Sequence, residues 1–247
     1  MAERSYTEGV VAAADREAGQ GGPGAEVRTL GEARRAFLRK RSPWVIGTAI
    51  VAVLALRIAL WDPSWRDAVA VAAMLALYPF GEWAIHVYLL HMRPFRLGGR
   101  MIDPPAARSH REHHSRPNDL GLILLEPKEL AQLLLLAVPV ELALGALVVG
   151  LAFGPVPLGA LVSGALAAYV AIGVYEWTHF LIHTAYRPRS RYYRSVWRNH
   201  RLHHFKNEHY WHGITNTVGD RALGTFPDQR SVPRSPTART LDPGPSS

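Results

Sequence analysis

This chain of 247 residues contains no cysteine, which removes disulfides, zinc ribbons, iron–sulfur clusters and thiol catalysis together. Any metal it holds must be bound through nitrogen and oxygen. Positive charge is missing just as selectively. Of 28 Lys and Arg, only Arg57 and Arg66 lie between Ser42 and Arg93, and none lies between Lys128 and Arg187. No Gly-rich phosphate loop and no GxGxxG after a strand is present, so no nicotinamide or flavin site is expected. No Ser-His-Asp or Cys-His arrangement suggests nucleophilic catalysis either. The net charge of +8 invites a nucleic-acid reading. Such a module, however, interleaves Lys and Arg with aromatics on one face. Here the basic residues crowd the flanks of apolar tracts, as in a membrane protein that obeys the positive-inside rule. No nucleic-acid partner is expected.

The apolar tracts set the organisation. Four spans are predicted, at about 43–61, 67–91, 130–153 and 158–183, each long enough to cross a hydrocarbon core of roughly 30 Å. Arg34, Arg35, Arg39, Lys40 and Arg41 anchor the first, and Arg57 near its outer end is expected to snorkel to the interface. The second helix, at about 37 Å, outruns the hydrocarbon, so its last turns should protrude. The fourth does the same. Gly154-Pro155-Val156-Pro157 separates the third span from the fourth. Glu141, inside the third span, is a functional candidate because an intramembrane charge is costly. Residues 1–30 and the Pro/Ser/Arg-rich stretch 229–247 read as disordered tails around a membrane domain at 31–228. An even number of spans puts both termini, the loop 92–129 and the segment 184–247 on one side. That side carries nearly all the Lys and Arg and is assigned to the cytoplasm. The expected fold is all-α: an integral-membrane four-helix bundle with a cytoplasmic helical cap.

All 12 histidines fall in clusters: His86 and His91; His110, His113 and His114; His179 and His183; His200, His203 and His204; His209 and His212. A single solvent-facing histidine would need no explanation. A full complement grouped at short spacings beside membrane exits is what a transition-metal site needs, because neutral imidazole is its commonest ligand. A spaced pair followed by HxxHH occurs twice, which suggests two ions between two similar halves. His179 and His183, four apart, share a helix face. His110 with His113 and His200 with His203, three apart, are also read as sharing a face. His114 and His204, turned by about 100°, are then left to reach a second metal. His91 is expected at or past a helix end, stopped by Arg93-Pro94. Glu82 and Glu176, each one turn ahead of a spaced pair, are candidates to accept a hydrogen bond from a ligand imidazole and fix its tautomer. Against this stands the plainer reading of carboxylates facing water, beside Trp83 and Trp177 as interfacial aromatics. Asp119, just beyond the first HxxHH, has the same status. His209 and His212 stay undecided.

At these residues the chain resembles the fatty acid hydroxylase superfamily, the membrane histidine-box proteins that include fatty acid 2-hydroxylases and sterol desaturases. The segments that carry the resemblance are GEWAIHVYLLH (81–91), SHREHHSRPND (109–119), YEWTHFLIH (175–183) and NHRLHHFKNEHYWHGITNTVGDRALGT (199–225). Their order is most similar to the fatty acid 2-hydroxylase branch. The resemblance implies a dimetal centre, iron in the active enzyme and zinc in some isolated protein, at the cytoplasmic end of a four-helix bundle. It implies O2-dependent hydroxylation of a lipid C–H bond, a fatty acyl chain first, with sterol or carotenoid hydroxylation or desaturation as the alternative. It carries the ligand role to His86, His91, His110, His113, His114, His179, His183, His200, His203 and His204, and to neither His209 nor His212. No cytochrome b5 stretch is recognisable, so a separate electron donor, a ferredoxin or a cytochrome b5-like protein, is implied. The Arg-rich stretch 187–201 could dock an acidic one or an anionic lipid surface. A non-catalytic metal-binding or transport protein is the remaining alternative. Transport would place polar ligands near the bilayer midplane, whereas the histidines gather at one end of the spans.

Overall fold

The computed structural model describes residues 23–241. Its helices are α1 (Leu30–Leu38), α2 (Ser42–Leu60), α3 (Trp65–Ala84), α4 (Pro105–Ser115), α5 (Pro127–Phe153), α6 (Leu158–Ile182), α7 (Arg191–Phe205) and α8 (Val218–Ala222). A π-helical turn, Ile85–Leu90, prolongs α3. The four expected spans are present as Ser42–Leu60, Trp65–Leu90, Pro127–Phe153 and Leu158–Ile182, each long and apolar enough to cross a membrane. The described residues divide into two compact units, one of residues Phe37–Gly81 and Leu125–Trp177, the other of 23–36, Glu82–Leu124 and 178–241.

The first unit consists of the apolar lengths of the spans. Its core gathers Ile46 from α2, Met74 from α3, Leu130, Leu134 and Val138 from α5, and Ala168 from α6. Val51, Ile58, Leu136, Leu147 and Leu151 point outward and are exposed. Helices apolar all round are membrane spans or deep core elements, and here so little is covered by protein that lipid is the fitting solvent. In lipid, close packing and polar pairing replace the hydrophobic effect as the force between helices. Arg57 supplies the pairing. Its guanidinium lies 2.7 Å from Asp67 and 3.0 Å from Asp62, and its Nε donates to Ser163 Oγ at 2.9 Å. An Arg within a span costs about 2.5–3.5 kcal/mol or more when unpaired. Arg57 reaches toward the short loop between the first two spans, where Asp62 and Asp67 meet it. Glu141 lies in α5 beside Met74, Leu142 and Gly145.

The second unit is built from what flanks the spans. Phe95–Leu97 (β1) and Arg100–Ile102 (β2) form an antiparallel hairpin. Gly98 and Gly99 turn it with φ of 56° and 78°, the left-handed pair that a two-residue hairpin demands. Among the described residues this hairpin is the one departure from an all-helical expectation, and the Gly-Gly between two short apolar runs was its signal. α4 starts at Pro105, where a missing N–H costs nothing. α7 starts after Ser190, whose Oγ accepts from Tyr193 N at 3.0 Å. Both expected tails need correcting where they are described. Residues 23–30 include a 3-10 turn at Pro23–Glu26. There Gly24 N donates to Asn118 O at 3.2 Å and Gly24 O accepts from Ala185 N at 3.0 Å. Residues 229–241 bury Val232, Ala238 and Leu241. Polar composition suggested disorder, but backbone pairing to the unit orders both segments. The remainder of the two tails, 1–22 and 242–247, lies outside the described residues.

Candidate metal centre

Ten imidazoles converge in the second unit as two sets. His86, His91, His110, His114 and His203 form one, and His113, His179, His183, His200 and His204 the other. Within each set one nitrogen per ring lies within 4.8 Å of every other. The closest pairs are His110–His114 and His91–His203, both 3.2 Å between Nε2 atoms, and His183–His200 and His200–His204, both 3.0 Å. A metal about 2.0–2.1 Å from each imidazole nitrogen would put adjacent ligand atoms about 3 Å apart and opposite ones about 4.2 Å apart. The residues fit an ion in each set.

The partition corrects the expected face-sharing. Each HxxHH gives its outer pair, four apart, to one set and its middle histidine to the other. Helix geometry supplies the reason. Residues four apart differ by only about 40° in direction, whereas residues three apart differ by about 60° and neighbours by about 100°. His110 and His114 therefore aim together while His113 turns away to join His179 and His183. His200 and His204 aim together while His203 joins His86 and His91. The two centres thus interlock through α4 and α7, and neither belongs to one half of the sequence.

His86 and His91 meet because of the π-helical turn. His91 N donates to His86 O at 3.1 Å, five residues back, and that wider turn aligns rings that an α-helix would splay. Their centroids lie 4.9 Å apart. The end of the helix is where the sequence placed it. The widened last turn was not foreseen.

Backbone carbonyls hold the rings of the first set. His86 Nδ1 donates to His212 O at 2.7 Å, His203 Nδ1 to Tyr210 O at 2.8 Å, and His114 Nδ1 to Ala238 O at 2.8 Å. A carbonyl can only accept, so each of these Nδ1 atoms carries the proton and leaves Nε2 with its lone pair toward the centre. Burial drives the neighbouring histidines the same way. His91, His110, His113, His183, His200, His203 and His204 are held well below the ordinary imidazole range, first by loss of solvation and then by one another, and His114 is lowered to about 4. Buried, neutral and converging, such nitrogens are what a cation satisfies. Among the described residues, His86 Nε2 and both ring nitrogens of His113 have no hydrogen-bond partner.

Among the described residues, the hydrogen bonds of Glu82 go to a loop rather than to an imidazole. Its buried carboxylate accepts from Ile214 N at 2.5 Å, Thr215 N at 2.8 Å, Thr215 Oγ1 at 2.5 Å and Asn216 Nδ2 at 2.9 Å. Asp220, whose role the sequence reading missed, accepts from His212 N at 2.9 Å, Gly213 N at 2.7 Å and Thr225 Oγ1 at 2.6 Å. Together they pin the loop that offers the His212 carbonyl to His86. Trp83 Nε1 adds a bond to Thr225 Oγ1 at 2.8 Å. A side chain at Gly213 would meet Asn216 O at 2.0 Å, so only glycine fits there. Trp211, between two carbonyls that serve histidines, is fully buried at φ 58°, a strained backbone held by its surroundings. Glu176 lies in the other unit, where Ser42 Oγ donates to it. Asp119 caps a turn, accepting from Gly121 N at 2.9 Å beside Arg116 at 3.5 Å. Of the undecided pair, His212 is buried with its centroid 5.2–5.6 Å from those of His86, His91 and His203. His209 is exposed beside Glu208.

A membrane helix set carrying a paired all-histidine centre defines the class to which this protein belongs. The model of the family described as fatty acid hydroxylase matches residues 71–225, and the chain belongs to that family. It is 29% identical over 147 residues to the dihydroceramide fatty acyl 2-hydroxylase FAH2 of Arabidopsis thaliana, covering 59% of this chain and 57% of that one. It is 26% identical over 166 residues to a fatty acid 2-hydroxylase of Macaca fascicularis, covering 66% and 40%. The chain thus spans little more than half of one curated relative and less than half of the other. The solved structure of full-length scs7p, with only its hydroxylase domain visible, shares the fold at a TM-score of 0.54 and 20% identity, over 79% of this chain and 70% of that one.

Proposed function

We propose that this chain is a membrane-bound oxygenase that hydroxylates a lipid C–H bond, on a fatty acyl chain, with O2 and electrons from outside the protein. One observation carries the reading: two interlocked sets of five imidazoles, nine of the ten buried, each set compact enough for one ion. The family and the names of the relatives support the lipid. The ten histidines of the two sets would be the ligands, and iron the working metal. Iron so held would supply the activation of O2 and the oxidising power toward the C–H bond.

What the chain itself contributes is holding, orientation and exclusion of water. The carbonyls of Tyr210, His212 and Ala238 keep protons on Nδ1. Glu82 and Asp220 fix the loop that presents one of them. Burial of nine of the ten rings keeps water from the centre, which protects reactive chemistry from side reactions. We place both termini, the loop 92–129 and 184–241 on the cytoplasmic side, from the distribution of Lys and Arg. The domain would run through 241 rather than stop at 228. A separate ferredoxin or cytochrome b5-like donor would bring electrons. A cavity of about 590 Å³ lined by Arg28, Arg187, Arg189, Arg201 and Trp197 beside His183 suits an acidic partner.

The test is turnover. Iron-loaded protein in lipid nanodiscs, given a fatty acyl lipid, a reducing system and 18O2, should yield hydroxylated lipid carrying one 18O. A desaturated product without label would favour the desaturase alternative. No turnover by fully iron-loaded protein would sink the enzyme reading and leave metal binding or transport.

A further inference from the structure

The stretch 229–241 lies past Thr225, where the family match ends, yet it contacts His114 near its end and the residues just past α7 along the rest of its course. Near Leu241, the Ala238 carbonyl accepts from His114 Nδ1 at 2.8 Å. The Arg239 guanidinium donates to His114 O at 3.0 Å and to Ser115 O at 2.8 Å. Those are the last carbonyls of α4, which have no partner within the helix and favour a cation. Toward residue 229 the stretch grips the end of α7. Ser235 N donates to Lys206 O at 2.7 Å, Asn207 Nδ2 to Pro233 O at 3.2 Å, and Lys206 Nζ to Gln229 O. Ser235 and Thr237 both donate to the buried carboxylate of Glu208. Arg239 also lies over the Phe205 ring, 5.2 Å from its centroid.

We infer that residues 229–241 form a positioning strap that sets the metal ligands. The strap keeps the proton of His114 on Nδ1, leaving the Nε2 lone pair to face the centre, and ties α4 to α7. The first set depends on the strap twice, through His114 itself and through the placement of α4 against His203 on α7. The inference rests on the histidines being ligands. Ala238 acts through its main chain, so Arg239, Thr237 and the whole stretch are the positions to alter.

Co(II) titration of the full-length protein in detergent, followed by its d–d absorption and by chelator competition, reads the strap directly. Wild type should take two ions. Removal of 229–247, and Arg239→Ala, should keep the helical circular dichroism while weakening the first set by about 10–100-fold and altering the d–d bands. Arg239→Lys can bridge only one of the two carbonyls and should fall between. Wild-type affinity and spectrum in the truncated chain would overturn the strap. Should that chain fail to fold, the same result in Arg239→Ala and Thr237→Ala would overturn it. A wild-type chain that takes no Co(II) would instead overturn the ligand assignment beneath it.

Discussion

The two histidine sets draw on the same pair of short helices and are secured by different means. In the set of His86, His91, His110, His114 and His203, three rings are clamped through Nδ1 by carbonyls from 210–238. In the set of His113, His179, His183, His200 and His204, every member is buried. Its rings project from α4, α6, α7 and the residue just past α6, and the Nδ1 atoms of His113, His200 and His204 meet no acceptor among the described residues. The first set is therefore tuned by loops, and the second by the placement of helices. Outer partners of metal-bound imidazoles alter affinity by about 10–100-fold. Changes in the loops should thus fall on one ion and spare the other.

Ligand removal should separate the sets most sharply. His203→Ala and His204→Ala alter neighbouring residues, yet each should cost a different ion, leaving about one of two per chain and no measurable hydroxylation. Metal analysis with a set-specific spectrum checks this. Loss of the same ion by both variants would break the comparison. Next in size is Glu82→Ala, which strips four hydrogen bonds from the loop 214–216. Each buried donor left unsatisfied costs about 1–3 kcal/mol, so the first set should loosen while the second keeps its ion. Equal weakening of both would show that the loop serves the entire unit.

Acid should act through burial. His114 falls from 6.5 to about 4 in the folded chain, so below pH 6.5 the unfolded state binds protons that the folded state refuses. Stability of metal-stripped protein should be flat above that pH and decline as pH drops from about 6.5 to about 4. Thermal unfolding in detergent across this range checks the sign, and a rise in stability toward pH 4 would contradict it. The smallest effect is expected at Asp119. Asp119→Asn should alter stability by no more than about 0.5 kcal/mol and leave both ions in place, because its carboxylate serves a surface turn.

Much of the frame was legible. Runs of apolar residues without Lys or Arg mark spans whatever they pack against, and spaced histidines announce a cluster able to hold metal. The pairing was less legible, because three- and four-residue spacings both look like one helix face until α4 and α7 stand between two sets. The carbonyls of Tyr210, His212 and Ala238 left no trace, since every residue has a main-chain oxygen. Glu82 was singled out for the right neighbourhood and the wrong partner. Asp220 stood in the closing Gly-Asp of the resemblance with nothing to suggest that it fixes the His212 loop. The strap was hidden by its composition: Pro, Ser and Arg signal disorder unless a Glu208 and a helix end are waiting for them.

Metal content of two double variants tests the interlocking most directly. His110→Ala with His203→Ala removes two ligands from different boxes but one set, and about one ion per chain should remain. His110→Ala with His113→Ala removes neighbours from one box but different sets, and both ions should be lost. The reverse outcome, one ion kept by the second variant and none by the first, would contradict the interlocked centre.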